Sequence, residues 1–355
     1  MKILLVTSVF KDAAVGPARF AKLLVDRQNL DIHVLTEGVK ETDTIHVVTY
    51  QLPFWQRKFR RYFAIKYYQY KLKEIETNFD VIIFNHSSLA YKFQTDKPSF
   101  VMVNDAKLLE IEFTTPFDYL RRKVLGNIER KVLKSGTQII TNSIALKEKI
   151  TRSVGVSESS INVLYKGINL DLYNVKHPAQ ISAEQPIKVL FVKNDFKIGG
   201  LKYLIEALGL LPQYQFELYI VGPDINHLPI IDLQNVRPLK LGKVDNNEVA
   251  SLIYQSHILA IPSLYEPLGV AIMEGLAAGI PTITTNVGGL PEVTENGNLV
   301  WTCLPKDSKS ISLAIQDCIN DAYTRIQKSN EGRIHVRKHF DFQQVEQRLK
   351  EILKI

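Results

Sequence analysis

Two glutamates eight positions apart, Glu266 and Glu274, are the residues of this chain best suited to binding and reacting with a polar ligand. They flank a predicted helix start, because the apolar run 258–261 indicates a buried strand and Pro267 suits a first helical position. A helix that starts at the carboxyl edge of a strand attracts anions through its free N–H groups and its dipole. Carboxylates at that edge would accept hydrogen bonds from hydroxyl groups. This stretch therefore predicts a phosphorylated, hydroxyl-rich ligand such as a sugar nucleotide.

The elements that must position these glutamates follow a regular alternation of short apolar strands and helices. Strands are predicted at 2–7, 32–35, 45–49, 81–84, 100–103, 138–141, 161–164, 189–192, 216–221, 236–241, 258–261, 282–284 and 299–301. Helices are predicted at 18–25, 120–133, 145–153, 203–211, 249–255, 267–278, 310–326 and 342–353. This alternation is typical of α/β domains with parallel sheets, and the polar segment 175–186 is predicted to be a linker. We therefore expect two Rossmann-like, doubly wound domains that face each other across a cleft.

Length and composition limit the classes of protein to consider. The chain has 355 residues, enough for about two domains, with the 45% hydrophobic and 23% charged content of an ordinary globular protein. The formal net charge of +7 suits an anionic partner. Two cysteines, Cys303 and Cys318, are too few for a disulfide framework or a usual zinc site, which favours a reducing cytosol. The first strand is too short to be a signal peptide, and no apolar run has the length of a membrane span.

A specific block of motifs occupies the second half. Glu266 and Glu274 lie within 262–281, which continues into a Gly-Gly-Leu-Pro-Glu segment at 288–292. Weaker supporting matches are the segments 220–223 and 165–169. In this order, the block resembles the retaining glycosyltransferases of family four, which have the GT-B fold. The resemblance covers most of the second half and extends weakly into the first.

The resemblance implies transfer of a hexose from a nucleotide diphosphate sugar to an acceptor hydroxyl, with retention of the anomeric configuration. A UDP-hexose such as UDP-glucose is the commonest donor of such enzymes, and a glycan or lipid-linked acceptor in polysaccharide or glycolipid biosynthesis is expected. The N-terminal domain, residues 1–174, would bind the acceptor, and residues 186–335 would bind the donor. A final helix at 340–355 is expected to cross back to the first domain.

The same resemblance assigns roles to individual residues. Glu274 would hold the ribose hydroxyls, and Glu266 would face the donor sugar and stabilise positive charge at its anomeric carbon. Backbone N–H groups of Gly288, Gly289 and Leu290 would reach sugar hydroxyls or phosphate. Further donor-binding candidates are Gly222, Pro267, Leu268, Gly269 and Val270.

The region expected to bind the donor phosphates departs from the family pattern. An arginine and a lysine usually follow the first strand of the donor domain, and here these positions are Asn194 and Gly199. Lys193 or Lys197 could supply the positive charge from a shifted loop, because a lysine needs only to bring its ammonium within reach. In the first domain, Gly16 precedes a helix where the family places a glycine-rich loop, so it is a further candidate for the donor phosphate.

On the acceptor side, two strand ends carry candidate residues. Asn104 stands where many relatives have a histidine, and Asp105 follows it as a candidate catalytic residue. His86 ends another strand and is a second candidate, although a lone histidine there is more often structural. No cofactor is expected, and no metal site is predicted, since Asp-x-Asp is absent and the carboxylates are not clustered.

The segment 54–68 mixes cations with aromatic residues, and Phe59, Phe63 and Tyr67 recur at a helical spacing. It predicts either an interfacial helix that binds an anionic membrane or a core-packing helix with a basic outer face. A nucleic-acid partner has no supporting motif. The expected location is the cytoplasm, with peripheral binding to the inner face of the plasma membrane.

The rival functions are a phosphorylase-like or epimerase-like enzyme of the same architecture, and a sugar-nucleotide-binding or scaffolding homologue that is not an enzyme. A phosphorylase with the same architecture would need a pyridoxal-phosphate lysine context, which the sequence lacks. A nucleotide-sugar-binding homologue with weak or no catalytic activity is favoured by the substitutions at Asn194, Gly199 and Asn104.

Overall fold

A computed structural model describes residues 1–10, 16–27, 29–53, 60–106, 116–177, 180–181, 185–223, 225, 228 and 231–355, with the backbone alone for 61, 116–118 and 121. The chain separates into two compact units. The first comprises Met1–Tyr165 together with Glu346–Ile355, and the second comprises Lys166–Val345. The assignment of acceptor and donor binding to such units stays a prediction.

The first unit is built on a parallel sheet. Its strands are β1 (Lys2–Val6), β2 (Asp31–Thr36), β3 (Ile45–Val47), β4 (Val81–Phe84), β5 (Ser99–Val103), β6 (Gln138–Thr141) and β7 (Ile161–Val163). Its helices are α1 (Gly16–Asp26), α2 (Arg60–Ile75), α3 (Pro116–Leu133) and α4 (Ile144–Val154). The strand order is β3-β2-β1-β4-β5-β6-β7, so the winding direction reverses between β1 and β4. The carboxyl ends of strands at such a reversal are where open α/β sheets bind ligands.

The second unit repeats this plan with a six-stranded parallel sheet. Its strands are β8 (Ile187–Val192), β9 (Phe216–Val221), β10 (Val236–Gly242), β11 (Ile258–Ile261), β12 (Thr282–Thr285) and β13 (Trp301–Cys303). Its helices are α5 (Phe196–Gly199), α6 (Leu201–Gly209), α7 (Asn246–Gln255), α8 (Val270–Ala278), α9 (Leu290–Val293), α10 (Ser308–Asn320) and α11 (Ala322–His339). The last helix, α12 (Phe342–Leu353), begins in this unit, and its residues from Glu346 onward belong to the first unit. The order is β10-β9-β8-β11-β12-β13, and the reversal lies between β8 and β11. Both sheets confirm the predicted α/β, doubly wound class.

The prediction of one helix over 310–326 was wrong. The structure has two helices, α10 and α11, which meet at Asp321. The Asp321 carboxylate accepts a hydrogen bond from the backbone N–H of Thr324 (2.9 Å), so it caps the second helix. The Arg325 guanidinium donates to the carbonyl oxygen of Cys318 (2.7 Å) and so satisfies the end of the first. The end of α10 and the start of α11 are therefore stabilised by the side chains of Arg325 and Asp321, in a segment that contains no glycine or proline.

A buried histidine makes the stability of the second unit depend on pH. Nε2 of His177 lies 2.7 Å from the carbonyl oxygen of Ser256, and its backbone N–H donates to Ala278. Burial lowers the pKa of His177, and the nearby His257 lowers it further, against the opposite effect of the Ser256 carbonyl. In the unfolded chain His177 is protonated with a pKa of about 6.5, whereas in the folded chain it is protonated only at lower pH. The free energy of unfolding should therefore fall as the pH drops below about 6.5.

This prediction is checked by thermal melts between pH 7.5 and 5.5 of the wild type and of His177→Gln. Burial also lowers the pKa of His46 and His257, and the His177→Gln variant retains both of these histidines. We therefore expect the variant to lose only part of the dependence. A variant whose melting temperature falls with pH as steeply as that of the wild type would contradict the role of His177.

Candidate active site

The turn between β11 and α8 carries the two glutamates. All four residues of β11 are buried, and the chain then turns through 262–269 before the helix begins. The helix was predicted to begin at Pro267, but α8 begins three residues later, at Val270. Gly269 is the residue before it and has φ +104°, a backbone conformation that side-chain-bearing residues rarely adopt. The free N–H groups of the helix start are therefore those from Val270 onward.

Glu274 lies one turn into α8 rather than two. It is the fifth residue of the helix, on the side that faces the core, and only 3% of it is exposed. Its predicted role as the ribose-binding residue remains a prediction. The buried position shows that this carboxylate is held by the packing of the helix and not by a mobile loop.

The Gly288-Gly289 loop packs directly against the backbone of the glutamate turn. The N–H of Gly289 donates to the carbonyl oxygen of Glu266 (3.0 Å). A Cβ at Gly288 would overlap that same oxygen, and a Cβ at Gly289 would overlap the carbonyl oxygen of Pro267. Both glycines are therefore required for the close approach of two backbone segments.

Two of the three amides expected to face a ligand donate hydrogen bonds to backbone carbonyl oxygens of the protein. Gly289 donates to Glu266, as above, and the N–H of Leu290 donates to the carbonyl oxygen of Val287 (3.2 Å). These hydrogen bonds hold the loop against the turn at Glu266 and Pro267. In this structure two of the three amides therefore brace the site, and the expectation that they reach a ligand stays a prediction.

Lys193 is the cation that reaches Glu266. β8 and β11 are neighbours in the sheet, so the loops after both strands leave from the same carboxyl edge. Lys193 directly follows β8, and its ammonium makes an ion pair with Oε2 of Glu266 and lies 3.5 Å from Oγ of Ser263. The side chains of Lys193 and Glu266 are 17% and 14% exposed. Little water therefore screens the pair, and the attraction is stronger than at an open surface.

The loop continues from Lys193 through Asn194 and Asp195 into α5, which contains Lys197. Asn194 and Lys197 are both exposed, and Asp195 caps α5 by accepting a hydrogen bond from the N–H of Ile198 (3.0 Å). Gly222, at the end of β9, has φ +153°, and a Cβ there would overlap the carbonyl oxygen of Lys193. Gly222 thus shapes the loop that presents Lys193. The sequence offered Lys193 and Lys197 as equal candidates, and only the first lies beside Glu266.

In the first unit, a row of asparagine amides links the carboxyl ends of neighbouring strands. Nδ2 of Asn85, after β4, donates to the carbonyl oxygen of Pro17 (3.0 Å) in α1. Nδ2 of Asn104, after β5, donates to the carbonyl oxygen of Asn85 (2.8 Å), and Nδ2 of Asn142, after β6, donates to that of Asn104 (2.9 Å). Asn104 thus has a structural role at the position where the family resemblance implies a histidine. The sequence pattern did not predict these hydrogen bonds between the asparagines, although each asparagine directly follows a predicted strand.

The row brings the first-unit candidates to one edge of the sheet. His86 follows Asn85, Asp105 follows Asn104, and Gly16 begins α1 next to Pro17. His86 and Asp105 are both partly exposed. They lie at the ends of the adjacent strands β4 and β5, and β4 borders the reversal of winding. Their predicted roles toward an acceptor stay predictions.

The basic aromatic segment is described only from Arg60 onward, so Phe59 and the rest of 54–59 lie outside the described residues. Arg60 pairs with Glu37 (2.8 Å) and donates to the hydroxyl of Tyr50 (3.1 Å). Tyr67 stacks on Tyr50 with ring centroids 5.1 Å apart, and it packs against the core of the first unit. Tyr67 therefore fits the core-packing interpretation, and Arg60 and Lys66 are exposed on the same helix.

Among the residues that the structure describes, no three His, Cys, Asp or Glu side chains are grouped as they would be to hold a metal ion.

Two family models match the chain. One, described as Glycosyltransferase Family 4, matches residues 17–172. The other, described as Glycosyl transferases group 1, matches residues 174–335. Together they cover almost all of both units.

Similar proteins of known sequence include a glycogen synthase and an uncharacterized protein. The glycogen synthase of Mycobacterium tuberculosis (strain H37Rv) is 27% identical over 231 residues, which are 61% of this chain and 54% of that protein. The chain thus spans about half the length of that relative. An uncharacterized 41.2 kDa protein in the cps region of Klebsiella pneumoniae is 26% identical over 295 residues, covering 79% of this chain and 81% of its own.

Solved structures show the same architecture at low identity. Sucrose-phosphate synthase from Thermosynechococcus elongatus superposes with a TM-score of 0.80 at 17% identity, covering 100% of this chain and 98% of its own. HepE of Anabaena, solved in complex with UDP-glucose, gives a TM-score of 0.74 at 18% identity and covers 100% and 99%. At these identities the likeness concerns the fold, and it confirms the predicted GT-B fold.

Proposed function

Because this chain belongs to the family 4 type of GT-B glycosyltransferases, we propose that it transfers a hexose from a UDP-hexose to an acceptor hydroxyl with retention of configuration. The proposed product is a polysaccharide or glycolipid intermediate. The observation that carries the proposal is the strand–turn–helix at 258–278, with Glu266 in the turn and the Gly288-Gly289 loop hydrogen-bonded to it. The glycogen synthase relative and the UDP-glucose complex of HepE support the choice of product class and donor.

The proposed chemistry separates two charges at the donor. As the bond to the leaving diphosphate lengthens, positive charge develops on the sugar and negative charge on the phosphate. Glu266, 14% exposed and fixed by the backbone hydrogen bond from Gly289, would stabilise the positive charge. The start of α8 would face the leaving diphosphate with the free N–H groups from Val270 onward. Glu274 would hold the ribose, and Gly16 of the first unit would approach the donor phosphate.

The acceptor would bind to the first unit. Asp105 and His86 would contact its hydroxyl groups from the ends of β5 and β4, and either side chain can accept a proton from an attacking hydroxyl. The asparagine row would hold both strand ends at a constant separation, so that the acceptor hydroxyl is oriented before reaction. No cofactor or metal ion has a part in this proposal.

A second candidate function is a nucleotide-sugar-binding homologue with weak or no catalysis. It is favoured by the exposed Asn194 and by Asn104, whose amide is used to link strand ends. A wild-type protein that binds a nucleotide sugar but neither hydrolyses it nor transfers its sugar would support this alternative over the enzyme.

The proposed function is tested by screening nucleotide sugars for thermal stabilisation, since a ligand that binds only the folded state raises the melting temperature. UDP-glucose, UDP-galactose, UDP-N-acetylglucosamine, GDP-mannose and ADP-glucose form the panel. The donor that stabilises most is then assayed for hydrolysis and for transfer to glycan and lipid-linked acceptors, with the anomeric configuration read by NMR. Stabilisation by none of the five would contradict the proposal, and an inverted product would contradict retention.

We also propose that the segment 54–68 binds an anionic membrane surface, where a lipid-linked acceptor would be found. Within the described part of the chain, no helix is long and apolar enough to cross a membrane. The outer side of α2 exposes Tyr62 (44%) and Tyr70 (79%) near the cation Lys66. On α3, Lys123 lies over the ring of Tyr119, 5.6 Å from its centroid. Exposed aromatic rings interleaved with cations suit the boundary of an anionic bilayer.

Flotation with vesicles that contain anionic phospholipid tests this membrane proposal. We expect binding that weakens as salt is added and that is lost when Arg57, Lys58, Arg60 and Arg61 are replaced by glutamine. The matched control replaces four exposed lysines of the second unit, Lys240, Lys243, Lys306 and Lys309, and should float like the wild type. Equal flotation of both quadruple variants would contradict a specific role for this segment.

A further inference from the structure

Lys193 reaches the site through space that another side chain would otherwise occupy. A Cβ at Gly199 would lie 2.8 Å from Cγ of Lys193 and 2.6 Å from Cζ of Phe191. Both contacts are shorter than real Cβ contacts, so residue 199 must be glycine while the Lys193 stem crosses it. The site therefore receives its ammonium group from position 193, and the absence of a side chain at 199 is what makes room for it.

The partner of Lys193 is the carboxylate that the proposed function assigns to the donor sugar. Glu266 carries one negative charge, and its side chain and that of Lys193 are both mostly buried. Lys193 Nζ also lies 3.5 Å from Oγ of Ser263, which is in the same turn. As long as the ion pair holds, one oxygen of Glu266 is occupied by an ammonium and not by a sugar hydroxyl.

We propose that Lys193 is shared between two anions: Glu266 when the donor is absent, and the diphosphate of the donor when it binds. This inference rests on the proposed function and deepens it. The diphosphate draws the ammonium away, and Oε2 of Glu266 is released toward the sugar. No bond is made or broken in the exchange, and the ammonium keeps its protons throughout. Lys193 thus couples the binding of the diphosphate to the release of the Glu266 carboxylate, which can then interact with the donor sugar.

Charge and geometry both favour the exchange. A nucleoside diphosphate brings more negative charge than one carboxylate and approaches the start of α8, whose dipole attracts it further. Lysine is a compact charge on a flexible stem, so its ammonium can move between neighbouring acceptors without a change of backbone. The backbone of Lys193 is held in place, because its carbonyl oxygen packs on Gly222. Such an exchange requires a backbone that stays fixed and an ammonium group that can move, and Lys193 has both.

The exchange makes an unusual prediction for binding, which isothermal titration of UDP would measure. Binding must break the Lys193–Glu266 pair, so removing the carboxylate should remove that cost. We expect Glu266→Gln to bind UDP about three- to tenfold more tightly than the wild type. Lys193→Ala should bind about 10- to 100-fold more weakly, because a charged hydrogen bond to phosphate is lost. In the double variant Lys193→Ala/Glu266→Gln, the gain from the glutamine should disappear.

The double variant separates the exchange from simple repulsion. If the carboxylate weakened UDP binding only by repelling phosphate, glutamine would tighten binding equally with or without Lys193, and the inference would be overturned. The matched controls are Lys202→Ala and Glu206→Gln, from an exposed lysine–glutamate pair 3.8 Å apart on α6. Both should bind UDP like the wild type. A greater loss in Lys197→Ala than in Lys193→Ala would assign the phosphate to the other lysine and also overturn it.

Two further measurements distinguish a damaged fold, and a failure of the proposed function, from a failure of this inference. Melting temperatures of all variants, and the more conservative Lys193→Arg, show whether a loss of affinity reflects a damaged fold. Arginine keeps the charge, so it should restore more affinity than alanine. If the wild type bound none of UDP, GDP and ADP, the proposed function itself would fail, and the inference with it. If the wild type bound UDP and Lys193→Ala bound it equally well, the inference alone would fail.

Discussion

Replacing Glu266 by glutamine should lower the rate constant of transfer, kcat, by about 10²- to 10³-fold, in the range seen when one preorganised electrostatic group is removed from an active site. Glutamine keeps the size of the side chain and its capacity for hydrogen bonds, so only the charge is lost. The site is mostly buried, and the carboxylate is positioned by its own backbone, which accepts the N–H of Gly289. Little water is therefore available to stabilise the positive charge on the sugar in its place.

The measurement is the initial rate of transfer with the donor found in the thermal screen, alongside the melting temperature. Because the same variant is expected to bind UDP more tightly, kcat should fall without a rise in KM. That combination separates a loss of charge in the transition state from a loss of binding. Glu206→Gln, in the exposed pair on α6, is the matched control. A Glu266→Gln enzyme with more than a third of the wild-type kcat would contradict the assigned role.

Replacing Gly288 by alanine should reduce kcat/KM by more than about tenfold, because the added methyl group displaces the backbone that carries Glu266 and a small misplacement of a reacting group is costly. The Cβ would overlap the carbonyl oxygen of Glu266, and φ at this residue is +59°. The left-handed conformation alone costs an alanine roughly 1–2 kcal/mol. The overlap adds to this cost and moves the glutamate turn itself, so activity should fall further than stability does.

Gly155→Ala is the control for this second prediction. Gly155 ends α4 with φ +76°, the same backbone class, but a Cβ there would meet no atom within 4 Å. It should therefore lose a similar increment of stability from backbone strain and keep its activity. Chemical denaturation and initial rates on both variants make the comparison. Equal kcat/KM in Gly288→Ala and Gly155→Ala would show that the close approach of the two loops has no effect on the site.

The sequence predicted elements well where the signal is local. The strand at 258–261 and the helix at 342–353 match β11 and α12 to the residue. A continuous apolar run and a clear helical period are properties of neighbouring residues, and the surroundings do not change them. The start of α8 was misplaced by three residues, because Gly269 has a left-handed backbone and Leu290 packs so close to it that a Cβ on Gly269 would lie 2.6 Å from the Leu290 side chain. That contact is invisible to a local pattern.

For the candidate site, too, the sequence predicted the features that depend on local residues and not those that depend on contacts between distant segments. The order of the motifs identified the family, the GT-B fold and the glutamate turn, because these depend on which residues occur and on their spacing along the chain. The choice between Lys193 and Lys197 did not follow from spacing, since both are close to the end of β8.

The sequence by itself determined the α/β class, the two-domain plan, the family, and the presence of Glu266 in a turn between a buried strand and a helix. Only the tertiary structure decided which cation meets that glutamate, which backbone the Gly288-Gly289 loop supports, and that Asn104 links strand ends. Lys193 and Glu266 are 73 residues apart in the chain. They meet because β8 and β11 are neighbours in a sheet whose winding reverses between them. The pairing of strands distant in sequence, and not any local propensity, therefore creates the charge arrangement on which the proposed transfer depends.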